Sequence, residues 1–267
     1  MKTSKSYKHL LIERRGPADW IVLNRPDVKN ALNLEVAAEF LDAVRVCLSR
    51  KEAACLILTG EGGTFSSGGD IKKMSETPQS KNLKGFFLKI SKLIHTAVSE
   101  IRRSEKPVLA AIPGFVGGVS FGIVLGADLR IAASNAQFCA ATIRIGLVAN
   151  GGATYHLPRM VGLARASEIL FLGDLISADQ ALQMGLINRV VAPENLESET
   201  QALAERLAAS PSKALGRVKK ILNASLTSNL SQQLERERQA IAWSSTTPDF
   251  KEGIAAFLEK RKPRFNV

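Results

Sequence analysis

Two glycine-rich segments constrain the fold of this chain more than any other feature. The first is FSSGGDI at residues 65–71, and the second is GFVGGVSFGIVLGAD at residues 114–128. Each comes after a short apolar run, at 53–59 and 108–112, that favours a buried strand. Small residues at the end of a strand leave backbone N–H groups accessible. Two such groups that point at one oxygen form an oxyanion hole, so we predict that the two segments meet at one site.

The rest of the chain alternates predicted strands and helices, as an α/β protein does. Residues 9–23 alternate in polarity and predict a hairpin with its turn at 16–19. Asn33 is a candidate N-cap for a helix that begins at Leu34. Apolar residues between 83 and 101 recur at the spacing of a long amphipathic helix.

The pattern after residue 192 is helical. We predict helices over residues 194–209, 211–225, 229–243 and 249–262. Asp249 with Glu252 matches a capping box that opens the last of them.

Bulk properties narrow the class of protein. A chain of 267 residues that is 45% hydrophobic suits one α/β domain, with or without a small helical appendage. No apolar run of membrane-spanning length occurs, and the basic N-terminus lacks the apolar core of a secretory signal. Cys47, Cys55 and Cys139 fit neither a disulfide framework nor a zinc site. We therefore expect no metal and no membrane, and a cytoplasmic location.

Four further segments stand in a fixed order around the two glycine-rich ones. They are LNRP with NALN at 23–33, IGL to LPR at 145–159, ISA to GLI at 176–187, and DFKEGI to AFLEKR at 249–261. In this order the six segments resemble the enoyl-CoA hydratase/isomerase (crotonase) superfamily. The resemblance implies an α/β spiral core of ββα units over residues 1–192, which carries the coenzyme A and oxyanion site. It also implies a C-terminal helical region over residues 193–267 that assembles homotrimers, or hexamers made of two trimers.

The resemblance assigns the oxyanion donors and the coenzyme A contacts. The donors are the backbone N–H groups of Gly69 and Val119, and Val119 stands where many relatives carry glycine. Valine keeps its N–H, and at the start of a helix the helix dipole adds to the field on the oxygen. The coenzyme A contacts are Lys29, Ala31, Gly69, Asp70, Ile71, Lys72, Phe257 and Lys260, of which the last two sometimes act in a neighbouring subunit. No cofactor is expected beyond the coenzyme A moiety of the substrate.

The acid/base positions depart from the family pattern. Hydratases carry glutamates at the positions that match Gly122 and Thr142, and neither residue transfers protons as a carboxylate does, so a standard hydratase is not expected. Isomerases that move a double bond between C3 and C2 often carry a carboxylate at the position that matches Asn150. A carboxamide cannot abstract a proton, so Asn150 is a candidate catalytic residue that holds a water or donates to a substrate oxygen. Because glycine follows it, Asn150 is also a candidate for deamidation.

Other ionisable side chains are weaker candidates. His95, on the predicted long helix, and His156 are both interpreted as packed or surface histidines. Cys139 is interpreted as a small buried residue, because no His–Asp pair accompanies it. Asp70 is expected to serve the backbone of its own loop, and Glu76 is a candidate for reaching an acyl pocket.

The formal net charge of +11 has three interpretations: a solvated surface, a pocket for polyanionic coenzyme A, or a nucleic-acid surface. The lysines considered for the last are Lys81, Lys84, Lys89 and Lys92. Aromatic residues make up only 6% of the chain and no RNA-recognition motif occurs, so nucleic acid is not expected as a partner.

We therefore predict an enoyl-CoA isomerase/hydratase-like enzyme that binds an acyl- or enoyl-CoA thioester and stabilises its enolate. Two alternatives stay open. One is decarboxylation of a malonyl-type thioester, which needs no base because loss of carbon dioxide generates the enolate. The other is a non-catalytic relative that binds coenzyme A thioesters or RNA.

Overall fold

The strands of this chain are divided between two sheets. The computed structural model describes residues 6–76 and 82–266. The strands are β1 (Leu10–Arg15), β2 (Ala18–Leu23), β3 (Cys55–Gly60), β4 (Thr64–Ser66), β5 (Val108–Ile112), β6 (Phe115–Gly117), β7 (Leu129–Ala133), β8 (Gln137–Cys139), β9 (Ile176–Ser177) and β10 (Arg189–Val191). One sheet has the order β1-β2-β3-β5-β7-β10 and the other the order β4-β6-β8-β9. Neighbours are parallel except β1 with β2 and β8 with β9.

Helices cover both sheets and make up the C-terminal part of the chain. They are α1 (Leu34–Ser49), α2 (Ile71–Ser75), α3 (Leu83–Arg103), α4 (Val119–Leu125), α5 (Ala153–Leu172), α6 (Ala178–Gln183), α7 (Leu196–Ala208), α8 (Ser212–Ser225), α9 (Leu230–Ser244) and α10 (Pro248–Leu258). Helix α5 is broken by a kink at Gly162, which has φ 77°. None of the helices in the described ranges is both long and apolar enough to cross a membrane.

Three consecutive units repeat one pattern. Each begins with a strand of the larger sheet (β3, β5 or β7), continues with a short strand of the smaller sheet (β4, β6 or β8) and is followed by helix. The three short strands lie side by side and parallel. Because the carboxyl ends of parallel strands meet at one edge of a sheet, the segments that follow β4 and β6 are brought together there.

The predicted hairpin and the N-cap of α1 are confirmed. Strands β1 and β2 pair antiparallel across a turn at Gly16 and Pro17. The Asn33 side chain accepts a hydrogen bond from the backbone N–H of Val36 at 2.9 Å.

The strands expected to lead into the glycine-rich segments are present as β3 and β5. The sequence did not predict β4 and β6, of which β4 overlaps the start of the first segment and β6 lies within the second. Each of these strands is three residues long, which is too short to show as a periodic pattern.

The predicted capping box at the last helix is also wrong. Thr247 caps α10 through its side chain, one residue before Pro248. Asp249 instead accepts from the backbone N–H of Asn266 at 2.8 Å. Glu252 pairs with Arg261 at 2.6 Å, so both carboxylates bind the C-terminal segment.

The C-terminal helices differ in how they meet the core. Leu196 and Leu203 of α7 belong to a buried cluster with Trp20, Ile57 and Leu109 on one face of the larger sheet. Helices α9 and α10 carry apolar side chains that stay exposed in the single chain. The most exposed are Leu230 at 75%, Ile241 at 73%, Phe257 at 82% and Leu258 at 73%.

Candidate active site

A cavity of about 550 Å³ lies where β4 and β6 end. Its wall combines the residues that follow these two strands with one face of α3 and the segment 141–150. Phe87, Ile90 and Ile94 of α3 and Leu147 opposite give it a largely apolar lining. A concave apolar space of this size suits an acyl chain of a small molecule.

The backbone N–H groups of Gly69 and Val119 are free to donate at this cavity. The N–H groups of Gly68, Asp70 and Gly118 are engaged within the chain, at 3.1, 3.0 and 3.0 Å. In the described ranges, no acceptor is bonded to the N–H of Gly69 or of Val119, and both residues line the cavity. Val119 is the first residue of α4 and does not adopt a positive φ, so the backbone accommodates a valine there.

The two glycine-rich segments are in direct backbone contact. A Cβ at Gly68, which has φ +95°, would lie 2.7 Å from the carbonyl oxygen of Gly117. A Cβ at Gly117 would lie 2.8 Å from the carbonyl oxygen of Ser67. The buried Ser120 hydroxyl donates to Ser66 Oγ at 2.7 Å and ties the segments together. Glycine is therefore required at 68 and 117 for the two segments to approach this closely.

The segment that carries Lys29 and Ala31 lies beside the first glycine-rich loop. The Ser67 N–H donates to the Lys29 carbonyl at 2.9 Å, and the Leu32 N–H donates to the Gly68 carbonyl at 2.7 Å. The predicted coenzyme A residues in these two segments are thus neighbours in space.

Asp70 and Arg25 hold this region in place. The Asp70 carboxylate caps α2 and lies 3.2 Å from the Arg25 guanidinium. Arg25 also donates to the Ala31 carbonyl at 2.6 Å. The expectation that Asp70 serves its own loop agrees with these contacts, whereas Ile71, at 58% exposure, and Lys72 face solvent. Arg25 was not singled out from the sequence, because its carboxylate partner Asp70 is 45 residues away along the chain.

Asn150 and His95 form one wall of the cavity together. The Asn150 amide oxygen accepts from the Gly151 N–H at 2.7 Å and contacts Nε2 of His95. The Asn150 amide nitrogen donates to Ser91 Oγ, one helical turn before His95, at 3.1 Å. The sequence interpretation of His95 as a packed or surface residue was incomplete, since the side chain is exposed but lines the cavity. Its partner is 55 residues away, which no local pattern reveals.

The two positions that match hydratase glutamates have different surroundings. Thr142 lines the cavity, in a short 3-10 turn after β8. Gly122 is buried in α4, and a Cβ there would lie 2.4 Å from the carbonyl oxygen of Asn150 and 2.7 Å from the carbonyl carbon of Gly151. The 150–151 backbone therefore fills the space that a side chain at residue 122 would need.

Other candidates lie away from the cavity. His156 is buried, and burial lowers its pKa to about 4, as for a packed neutral histidine. Burial also raises the pKa of the Cys139 thiol, which is bonded to the Gly173 carbonyl at 3.1 Å. Glu76 pairs with Lys73 at 2.7 Å and does not belong to the described lining of the cavity.

The single chain does not bring Phe257 and Lys260 to this cavity. Phe257 lies in a separate groove along α10, and Lys260 follows the end of that helix with φ 55°. Of the lysines considered for nucleic acid, Lys84, Lys89 and Lys92 are exposed on α3, and Lys81 lies outside the described residues. The roles assigned to these residues stay predictions.

Comparisons with known proteins agree on one family. A family described as enoyl-CoA hydratase/isomerase matches residues 19–267. A 1,2-epoxyphenylacetyl-CoA isomerase of Escherichia coli is 34% identical over 92% of this chain and 93% of its own length. A crotonyl-CoA hydratase of Syntrophomonas wolfei is 34% identical over 97% of this chain and 98% of its own length. The crystal structure of an enoyl-CoA hydratase from Polaromonas superposes with a TM-score of 0.91 at 32% identity, covering 96% of this chain and 99% of that one.

Proposed function

Because the chain belongs to the enoyl-CoA hydratase/isomerase family, we propose that it is an enzyme that moves the double bond of a 3-enoyl-CoA thioester to C2. One observation carries this proposal. The cavity joins two free backbone N–H groups to an apolar wall, and its described lining contains no carboxylate.

The N–H groups of Gly69 and Val119 are the proposed oxyanion donors. Removal of a proton from C2 places negative charge on the thioester oxygen, and donors fixed in place beforehand stabilise that charge without reorganising. Loss of one such donor typically costs roughly 10²–10³ in rate. The backbone contact between the two glycine-rich segments supports this pairing of donors.

The rest of the thioester is assigned to two regions. The acyl chain takes the apolar space against Phe87, Ile90 and Ile94. The coenzyme A portion takes the surface formed by Lys29, Ala31 and the residues that follow Gly69. Lys29 and Lys72 are exposed there, where their charge favours the phosphates.

Isomerisation is favoured over hydration by the surroundings of Gly122. Hydration needs groups that activate a water and protonate the product. Gly122 and Thr142 supply no carboxylate, and the backbone at Asn150 and Gly151 occupies the space beside Gly122. A water held for attack by two glutamates therefore has no equivalent here.

The test is the conversion of a 3-enoyl-CoA by the purified protein. Absorbance of the conjugated thioester and the mass of the product are followed together. We expect 2-enoyl-CoA without the added mass of water. Formation of 3-hydroxyacyl-CoA from 2-enoyl-CoA would instead establish a hydratase.

Two further outcomes would contradict the proposal. Release of carbon dioxide from a malonyl-type thioester without isomerisation would establish the decarboxylase. Tight acyl-CoA binding with no product from any of these thioesters would establish a non-catalytic binder.

A further inference from the structure

We infer that His95 is the proton-transfer group of this cavity and that Asn150 is the positioning residue that orients it. The inference rests on the proposed function, because it assigns the base of the same site. His95 stands on α3 and lines the same cavity as Gly69 and Val119.

The composition of the lining leads to His95. The ionisable side chains among the described residues of the cavity wall are His95 and Arg144. A guanidinium stays protonated in proteins, and Arg144 is paired with Asp174 at 3.2 Å. Imidazole is the side chain that ordinarily gains and loses protons near neutral pH. His95 is thus the group in the described lining that is able to accept a proton from a substrate carbon.

Hydrogen bonds around Asn150 fix which imidazole nitrogen carries hydrogen. The Gly151 N–H can only donate, so the amide atom that it meets at 2.7 Å is the oxygen. Nε2 of His95 faces the same oxygen, which can only accept, so Nε2 carries a hydrogen. In neutral His95 the lone pair is therefore on Nδ1, which has no hydrogen-bond partner among the described residues.

The Asn150 amide is held in that orientation from two sides. Its nitrogen donates to Ser91 Oγ at 3.1 Å, and residues 91 and 95 share one face of α3. Behind it, the backbone of 150–151 packs directly against Gly122. The amide oxygen remains an acceptor for Nε2–H in both the neutral and the protonated state of the ring.

The proposed step conserves atoms and electrons. Nδ1 of His95 takes the proton from C2, the C–H electron pair forms the C1–C2 double bond, and the carbonyl pair moves to the thioester oxygen. The Gly69 and Val119 N–H groups stabilise that oxygen. The dienolate then takes the proton from Nδ1 at C4, the carbonyl re-forms, and the double bond lies between C2 and C3.

The test compares His95→Ala, His95→Gln and Asn150→Ala with the wild type and with Lys92→Ala, an exposed control on the same helix. Isomerisation of 3-enoyl-CoA and binding of a saturated acyl-CoA are both measured. We expect both His95 variants to lose about 10²–10⁴-fold in kcat and to keep the wild-type Kd. Free imidazole should restore part of the activity of His95→Ala, and Lys92→Ala should match the wild type.

Asn150→Ala should lower kcat and leave Kd unchanged. Free imidazole should restore less activity to Asn150→Ala than to His95→Ala, because the His95 ring still occupies the site in Asn150→Ala. Wild-type kcat in His95→Ala would overturn the inference while the proposed isomerase stands. A wild type that binds no thioester would overturn the proposed function itself.

Discussion

At the residue scale, Asn150 and Gly122 define one side of the site together. The Asn150 side chain bonds to α3. The backbone carbonyl oxygen of Asn150 lies 2.4 Å from the position that a Cβ on Gly122 would take. The backbone of residues 150–151 can therefore take its observed position only because residue 122 has no side chain. Any side chain at residue 122 must displace this backbone, and with it the Asn150 side-chain amide that orients His95.

Gly122→Ala tests this packing. The new methyl group meets backbone atoms at 2.4 and 2.7 Å, which cannot move as a side-chain end can. We expect a loss of about 1–3 kcal/mol in the free energy of unfolding, measured in urea, together with reduced isomerase activity.

Gly253→Ala is the matched control. A Cβ at Gly253, within α10, would lie 3.6 Å from the Phe265 ring, an ordinary contact. Alanine is favoured over glycine inside helices by about 1 kcal/mol, so this variant should be as stable as the wild type or more so. Equal stability of the two variants would show that the backbone at Asn150 does not depend on Gly122.

At the element scale, a buried lysine of α8 bonds to the core of the chain. The Lys219 ammonium lies 2.6 Å from an Asp128 oxygen and donates to the carbonyls of Ile101 and Lys106. Asp128 also pairs with Arg102 at 3.0 Å. Burial lowers the pKa of Lys219, and the nearby carboxylate opposes that shift. One polar network therefore joins α8 to the end of α3 and to Asp128, which follows α4.

Lys219→Met should weaken the attachment of α8 to this network, in which Asn223 keeps its bond to the Arg102 carbonyl. The change removes one of the two cations that pair with Asp128 and leaves the carbonyls of Ile101 and Lys106 without this donor, at a cost of about 1–3 kcal/mol. Lys220→Met, at the exposed neighbouring position, changes the net charge equally and should cost far less. Thermal unfolding of the two variants gives the comparison, and similar melting temperatures would contradict the role of Lys219.

At the scale of the whole molecule, the predicted crotonase-like α/β fold is confirmed by the solved structures that superpose on this chain. The family resemblance of the six segments predicted it, because each segment is local in sequence and can be recognised without its partners in space. The positions of Gly69, Val119 and Asn150 around one cavity followed from the same segments. His95 and Arg25 did not, because their partners come from remote parts of the chain.

Assembly belongs to this scale as well. The resemblance predicts homotrimers or hexamers, and the exposed apolar side chains of α9 and α10 are the surface that such an assembly would cover. The coenzyme A contacts assigned to Phe257 and Lys260 in a neighbouring subunit stay predictions of the resemblance.

The oxyanion donors are tested most directly by Val119→Pro beside Val119→Ala. Position 119 is the first residue of α4, where proline is tolerated and its missing N–H breaks no helical bond. Alanine removes the side chain but keeps the N–H. We expect Val119→Pro to lose roughly 10²–10³ in kcat/KM for 3-enoyl-CoA and Val119→Ala to stay near the wild type. Equal activity of the two variants would mean that the Val119 N–H does not hold the thioester oxygen.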